Sequence, residues 1–463
     1  MAIRFGTDGW RAIIADEFTF HAVRAVARAT AVVLCRGVES PRRKLVVGFD
    51  RRFESDHFAR AAAAELTAGG VDVLFCPEAI PTPVIAFTAL DQGTRGALIV
   101  TASHNPAIFN GIKLKTAGAA PRTVVNQIER ELAQPQAAEE CAAGSTQTID
   151  PFPAYAARLA RLVDLTRLKS VGLTVVVDAM FGAGAGVLPR LIGGDATQVI
   201  ELNTAHNPLF PGISAPEPVE RNLSRLKKVV ADGSATLGIA FDGDADRLAV
   251  VDDEGRYITG QLLFALLARY ILEVRRDRGP IVKSTTSSIM LDRLAAHFKV
   301  PLLETAPGFT NISQTMVAEG AVLAGEESGG FAFGLHIPDR DAILAALLLL
   351  SYLVQSGKRL SELIAELETI TGHWDFRRVD LPLPPEARDA LLARLQNVAW
   401  PPVMAGLSLS SVSPSHNQVE FSDGSWVLVR PSGTEPLLRI YAEAPDEEIV
   451  DHLIADTRLA LGV

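Results

Sequence analysis

Ser103 stands in the run Thr101-Ala102-Ser103-His104-Asn105-Pro106, between an apolar strand pattern, Ala97 to Val100, and a second short strand pattern, Gly111 to Leu114. That places its hydroxyl on an exposed strand-exit loop, where chemistry is commonly mounted. A serine alone in such a loop reads first as a turn or cap residue, so its neighbours in space decide the matter. Asp242-Gly243-Asp244-Ala245-Asp246-Arg247 alternates three carboxylates between two apolar runs, a set that can converge on a hard divalent cation, Mg²⁺ before others. Gly325-Glu326-Glu327-Ser328-Gly329-Gly330 offers acceptors and hydroxyls suited to sugar hydroxyls. Arg430-Pro431-Ser432-Gly433-Thr434-Glu435-Pro436 sets an arginine fork before a turn whose N–H groups and hydroxyls can surround a phosphate, with Arg439 on the next strand. The four loops together read as nucleophile, metal, sugar and phosphate.

Each loop also has a plainer reading. The Asp triplet resembles a solvated acidic turn. It is not an EF-hand loop, because Arg247 fills the sixth place where that loop needs glycine and the flanks read as strands. It also differs from a haloacid-dehalogenase-type phosphatase loop, which continues with Thr or Val where Ala245-Asp246 stand. Arg430 to Thr434 has the composition of a Pro-Gly turn, and Glu326 and Ser328 that of a surface turn. Lys113 is ordinarily a snorkelling strand residue, and His104 a local hydrogen-bonding one.

The elements that must position these loops alternate helix and strand. Thr19 caps a helix stopping at Gly37, Lys44 to Phe49 is a strand, Ser55 caps an alanine-rich helix ended by Gly69-Gly70, and Val71 to Phe75 leads to Pro81-Thr82-Pro83 and a short helix. This favours a mixed or parallel sheet covered by helices. Ala133 to Gln147 is a boundary segment, and a second unit opens near Pro151 with a helix through Leu165 and a strand, Leu173 to Asp178. Phe181-Gly182-Ala183-Gly184-Ala185-Gly186 has the spacing G-x-G-x-G instead of G-x-G-x-x-G, so it reads as a structural turn, not a dinucleotide site. Thr204-Ala205-His206-Asn207-Pro208 echoes the Ser103 loop with alanine in place of serine, a hint of an internal repeat. A third unit starts after the Asp loop with the hairpin signal Asp253-Glu254-Gly255-Arg256 and closes on the apolar run Ala342 to Val354. A smaller α+β unit follows from about Thr371. The expectation is four α/β units around a cleft, 1–149, 150–251, 252–370 and 371–463.

A chain of 463 residues exceeds one ordinary domain. With 44 Lys+Arg against 54 Asp+Glu and no basic block, it lacks the positive footprint of a nucleic-acid or anionic-membrane partner. An anionic substrate must then be captured by local arginines. Cys35, Cys76 and Cys141 are widely separated and lack metal-ligand spacing, which fits a reducing cytosol. The structured motif begins by Phe5, so a signal peptide is not expected, and Ala342 to Val354 is too short to span a bilayer. Monomer and dimer stay open.

The wording and order of these loops, with Phe5-Gly6-Thr7-Asp8-Gly9-Trp10-Arg11 ahead of them, resemble the α-D-phosphohexomutases, the phosphoglucomutases, phosphomannomutases and phosphoglucosamine mutases, over the whole chain. The resemblance implies that Ser103 is carried as phosphoserine and binds Mg²⁺ with Asp242, Asp244 and Asp246. It implies Lys113 as general base, its pKa depressed by nearby cations such as Mg²⁺ and Arg11, with His104 and Arg11 supporting the phosphoserine. Arg247, Gly308, Glu326 and Ser328 would meet the sugar, and Arg430, Ser432, Gly433, Thr434 and Arg439 the resting phosphate. Phosphoserine gives its phosphoryl to a hexose 1-phosphate, the resulting 1,6-bisphosphate turns around, and Ser103 takes the other phosphoryl back. Glucose 1,6-bisphosphate is thus both intermediate and activator. Glu327 and Gly330 depart from the Gly-Glu-Gln-Ser-Gly-His of phosphoglucosamine mutases, which points to glucose or mannose phosphates. Ala342 stands where the family commonly has glycine. The competing readings are a hexose-bisphosphate synthase, which releases the intermediate, a phosphoglucosamine mutase, and a non-enzymatic sugar-phosphate binder.

Overall fold

The computed structural model describes residues 3–35, 37–38, 43–116, 118–134, 142–194, 196–233, 235–413, 417–432 and 437–463. Three successive units repeat one strand arrangement. In the first, Lys44–Phe49 lies parallel to both Asp72–Phe75 and Ala97–Val100, and the latter turns back antiparallel along Phe109–Lys115. The second repeats this with Thr174–Asp178 between Gln198–Leu202 and Leu237–Phe241, then Leu248–Val251. In the third, Ile281–Ser284 lies between Leu302–Thr305 and Leu323–Gly325, followed by Phe331–Phe333. The central strands are apolar on both faces, as sheets covered by helices on two sides must be.

This repeat explains where the chemistry sits. The turn between the last parallel strand and its antiparallel neighbour carries Ser103 in the first unit, Asp242 to Arg247 in the second and Glu326 to Gly330 in the third. Ligand sites gather at the carboxyl ends of such strands. The echo at 204–208 is not the marker of the repeat, because it follows Gln198–Leu202, a different strand of the plan. The true counterpart of the serine loop is the Asp loop, with which it shares almost no sequence.

Other expectations shift by a strand or a cap. The hairpin Asp253 to Arg256 completes the second sheet, since Tyr257–Ile258 pairs with Leu248–Val251, instead of opening the third unit. Thr146–Thr148, overlapping the end of the expected boundary segment, pairs with Asp72–Phe75 as an edge strand, while residues 135–141, Cys141 among them, lie outside the described residues. Ser55 is not a helix cap: its Oγ donates to Asp50 Oδ1 at 2.8 Å, and the cap is Glu54 in the left-handed region. Thr19 does cap the first helix, Phe20–Cys35, accepting from Ala22 N–H at 3.2 Å. Cys35 and Cys76 are buried free thiols.

Ala342–Ser356 is the apolar helix expected to be buried, with Ala342 to Leu353 inside the core. It belongs to an apolar cluster that also holds side chains of the first two units, while each repeated unit keeps a further core of its own. Each fully buried leucine there contributes about 2 kcal/mol. Among the described residues no single helix is long and apolar enough to cross a membrane. The last unit has its own core, built on an antiparallel sheet whose strands Asp375–Pro382, Leu437–Ala444 and Trp426–Pro431 lie side by side. It meets the third unit through Glu443, a buried carboxylate accepting from Ile289 N–H at 2.9 Å and Trp426 Nε1 at 2.7 Å.

Candidate active site

Ser103 is fully buried, not exposed as a loop serine was expected to be, because the Asp loop of the second unit closes over it. Its φ of 51° is left-handed, a conformation a serine keeps only when its surroundings enforce it. The enforcing group is Arg52, whose guanidinium donates to the carbonyls of Ser103 (2.6 Å), Pro106 (2.9 Å) and Phe109 (3.0 Å), and to that of Asn105. Asp50 completes the clamp, accepting from Thr101 Oγ1 at 2.6 Å, from Arg52 N–H at 2.9 Å and from Ser55. Neither Asp50 nor Arg52 was anticipated. Their signal is only two polar residues at the exit of an apolar strand.

Ser103 Oγ donates to Asp242 Oδ2 at 2.7 Å and lies 3.2 Å from His104 Nδ1. Burial first, then the charges of Arg247, Arg11 and Lys113, hold His104 well below the usual imidazole range, so it is neutral at physiological pH. Asp242 Oδ1 accepts the N–H groups of Asp246 (2.9 Å) and Arg247 (3.0 Å), which curls the loop around its own first carboxylate. Gly243 is required here, since a Cβ on it would overlap the Ser103 carbonyl oxygen. Behind it, the glycine-rich turn serves the same loop. Ala183 N–H donates to Gly243 O at 2.9 Å, and a Cβ on Gly182 would come within 2.6 Å of that oxygen. The turn is thus structural, as its spacing indicated.

Asp242, Asp244 and Asp246 are all buried, and each offers an oxygen within 4.8 Å of the others. Burial, then the neighbouring carboxylates of Asp244 and Asp246, push Asp242 well above the ordinary carboxylate range. Asp244 Oδ1 and Asp246 Oδ1 are buried with no hydrogen-bond partner. Unsatisfied buried carboxylate oxygens are costly, and three carboxylates beside a serine hydroxyl suit a divalent cation with oxygen ligands.

Lys113 sits among three carboxylates. Its Nζ, nearly fully buried, lies 2.6 Å from Asp246 Oδ2, 2.7 Å from Asp244 Oδ2 and 3.0 Å from Asp8 Oδ2. Burial works to lower its pKa, but Asp244, Asp246 and Asp8 outweigh it and hold the ammonium above its ordinary value. Arg11, one of the two cations expected to depress it, donates to Asn105 Oδ1 at 2.6 Å and to Asp8 Oδ2 at 3.3 Å, and the depression expected from Mg²⁺ belongs to the metal-loaded site.

Asp8 and Arg340 were also not singled out. Arg340 Nη2 donates to Asp8 Oδ2 at 2.5 Å and to Asp246 Oδ2 at 2.7 Å. Thr82 Oγ1 donates to Asp244 Oδ2 at 2.6 Å. Asp8 belongs to the N-terminal motif, whereas Arg340 and Thr82 are ordinary in sequence and gain their roles only through long-range contact.

On the third unit, Glu326 is buried and accepts from Gly308 N–H at 2.8 Å. Burial, then Glu327, raises its pKa. Gly308 has a φ of 118° and abuts Thr7, so the two expected sugar loops meet each other and the N-terminal motif. Ser328 Oγ and Arg247 Nε are buried and without a hydrogen-bond partner, both near Glu326 in chain or in charge. Gly329 N–H is held by Glu326 O, and its own carbonyl takes Leu248 N–H at 2.9 Å, stitching the sugar loop to the strand after the Asp loop.

On the last unit, Arg430 and Arg439 face each other across neighbouring strands, and Asp380 Oδ1 lies 3.7 Å from Arg439 Nε. Ser432 is buried, with its N–H on Leu437 O at 2.8 Å. Gly433 and Thr434 lie outside the described residues. A crevice of about 290 Å³ opens beside Lys113, lined by Thr7, Asp8, Lys115 and Gly308 among others.

Models of all four phosphoglucomutase/phosphomannomutase domains match this chain: α/β/α domain I over residues 2–139, domain II over 153–255, domain III over 259–370 and the C-terminal domain over 388–460. A Methanothermobacter thermautotrophicus protein named a probable phosphoglucosamine mutase is 32% identical, covering 98% of this chain and 96% of its own length. A Thermococcus kodakarensis protein named phosphoglucomutase/phosphomannomutase is 32% identical, covering 96% and 95%. A crystal structure from Thermus thermophilus, assigned provisionally as a phosphomannomutase, superposes with a TM-score of 0.86 at 32% identity over 100% of both chains. With every repeated unit and the last sheet accounted for, the chain belongs to the phosphoglucomutase/phosphomannomutase family of phosphohexomutases, isomerases that transfer a phosphoryl group within a sugar phosphate.

Proposed function

We propose that the protein interconverts hexose 1-phosphate and hexose 6-phosphate, with glucose the preferred sugar and mannose next, through a phosphorylated Ser103 and a hexose 1,6-bisphosphate. The observation that carries this reading is the buried Ser103 hydroxyl 2.7 Å from Asp242, in a nest of carboxylates closed by Lys113. Asp242, Asp244, Asp246 and Ser103 would hold Mg²⁺. When bound, Mg²⁺ neutralises phosphoryl oxygens and offsets the carboxylates that otherwise keep the Lys113 proton in place.

The chain's own residues supply positioning and proton transfer. In the first half-reaction the sugar 6-hydroxyl oxygen bonds to phosphorus, the bond from phosphorus to Ser103 Oγ breaks, and Lys113 Nζ receives the hydroxyl proton. Arg52 and Asp50 fix the serine loop against displacement. Glu326 and Ser328 hold the sugar hydroxyls, with Arg247 beside them. Arg430, Ser432, Gly433, Thr434 and Arg439 hold the phosphate that is not reacting. The bisphosphate then reorients: Ser103 Oγ bonds to the phosphorus of the 1-phosphoryl, the bond from that phosphorus to the sugar O1 breaks, and O1 takes the proton held by Lys113 Nζ. Burial of Ser103 excludes water, which limits hydrolysis of the phosphoserine.

Glucosamine phosphate is the second reading, favoured by the names of relatives such as the Methanothermobacter protein. Glu327, accepting from Thr286 Oγ1 at 2.5 Å, sets a second carboxylate next to Glu326. One coupled assay separates the readings. The 1-phosphates of glucose, mannose and glucosamine are compared by kcat/KM with Mg²⁺, with and without traces of glucose 1,6-bisphosphate. The proposal expects glucose first and activation by the traces. A preference for glucosamine overturns the substrate, accumulation of bisphosphate marks a synthase, and no turnover of any sugar overturns the reaction.

A further inference from the structure

Residues 336–341 connect the strand Phe331–Phe333 to the helix Ala342–Ser356, and this short segment touches every other repeated unit. His336 stacks on Phe87 with ring centres 5.5 Å apart, Asp339 takes Lys115 at 2.7 Å, and Asp341 accepts from Tyr155 Oη at 2.9 Å while capping its own helix at Leu344 N–H. Arg340 is the member that enters the carboxylate nest. It bridges Asp8 of the first unit and Asp246 of the second, its guanidinium stands 5.1 Å from the Phe309 ring centre, and its stem runs over Gly330, where any Cβ would overlap Arg340 Cδ.

The two oxygens of Asp246 are therefore divided. Oδ2 is shared by Arg340 and Lys113, while Oδ1 is buried without a hydrogen-bond partner. Among the described residues, three buried or near-buried carboxylates, those of Asp8, Asp244 and Asp246, form ion pairs with two buried side-chain cations, Arg340 and Lys113, and Arg11 reaches Asp8; the fourth carboxylate, Asp242, accepts from Ser103 Oγ, with Arg247 and Arg52 acting on it from further away. We infer that Arg340 is a resident cation of the metal site: a positioning residue that orients Asp246, stabilises the nest while no metal is bound, and weakens divalent-cation binding by repulsion. Gly330 is the residue that gives it room. The inference rests on the metal reading above and deepens it.

A guanidinium and a divalent cation sharing one carboxylate repel each other in a poorly screened interior. Removing the guanidinium should tighten Mg²⁺ binding by about tenfold or more. The test uses full-length protein at one pH, with Mg²⁺ affinity from calorimetry and melting followed in chelator and in saturating Mg²⁺. Arg340→Gln is expected to bind Mg²⁺ more tightly, to melt lower than the parent in chelator, and to gain more from added Mg²⁺ than the parent does. Arg340→Lys keeps the charge and should restore near-parental affinity. A part played only in packing would lower both melting points together and leave affinity level or weaker, and that result overturns the inference. Should Arg340→Gln not fold, Gly330→Ala decides: displacing the guanidinium is expected to tighten Mg²⁺ binding, and unchanged or weaker binding sinks the idea. Absence of any Mg²⁺ binding by the parent protein would instead remove the metal reading itself.

Discussion

Gly182 lies outside every chemical loop, yet its replacement by alanine should damage catalysis. Its added Cβ would stand 2.6 Å from the Gly243 carbonyl oxygen, 2.9 Å from its Cα and 3.0 Å from its carbonyl carbon. All three are backbone atoms, so no side chain can rotate away. Restoring ordinary contact from 2.6 Å to 3.4 Å displaces the Asp loop by up to about 0.8 Å. Gly243 cannot recede freely, because its far side faces the Ser103 carbonyl and its N–H is held by Pro216 O at 3.2 Å. The shift is therefore passed to the distance between Ser103 and Asp242. A misplacement near 1 Å costs roughly 10²-fold in rate, so Gly182→Ala should lose about 10- to 100-fold in kcat with KM little changed. Gly186→Ala is the control. It sits in the same turn at a φ of 77° with nothing within 4 Å of a Cβ, so it strains the backbone by about 1 kcal/mol without moving the Asp loop. The assay is steady-state mutase turnover beside thermal melting of both variants. If Gly182→Ala keeps kcat within about threefold of the parent, or if Gly186→Ala loses as much, the buttressing argument is wrong.

Three further substitutions probe the nest and the sugar loops. Asp242→Asn should raise the melting temperature of the metal-free protein at neutral pH while abolishing Mg²⁺ binding. The sign follows from the upward shift of the Asp242 carboxyl. A group whose folded pKa is raised contributes stability that is present below the unfolded carboxylate pKa and lost as pH rises through the folded value. The advantage of the variant should therefore shrink as the pH falls into the carboxylate range, and an advantage that grows on acidification refutes the assignment. Lys113→Met should cut kcat by roughly 10²- to 10⁴-fold with a small change in KM; melting in chelator should also fall, because three carboxylates lose their shared cation. Glu326→Gln should raise KM by about 10-fold or more through a lost charged hydrogen bond to the sugar, checked by steady-state turnover over a range of hexose phosphate concentrations.

How much of this could be read without coordinates depended on whether a function was local in the chain. Ser103 and the Asp triplet lie in short motifs whose residue types suggest their chemistry, whereas Lys113 was marked only by the family resemblance; the structure sets Ser103 on Asp242 and Lys113 on Asp244 and Asp246 within hydrogen-bonding distance. Asp50, Arg52, Thr82 and Arg340 act across tens to hundreds of residues, and nothing in their immediate sequence separates them from surface residues. The repeat is legible only as a hint, and at the wrong place: Thr204 to Pro208 resembles the serine loop in residue order, whereas the fold equates that loop with the Asp loop. Strand order is held by packing, and loop sequence is free to diverge into nucleophile, metal site and sugar site. The carboxylates that hold the Lys113 proton in the metal-free site were hidden for a related reason, since they come from two other stretches of the chain.

The account turns on Ser103 accepting and surrendering a phosphoryl group. Protein incubated with glucose 1,6-bisphosphate labelled in phosphate, then digested and sequenced by mass spectrometry, should carry the label on the peptide containing Ser103, and unlabelled hexose phosphate should chase it off. Label on any other residue, or on none while turnover continues, would contradict it.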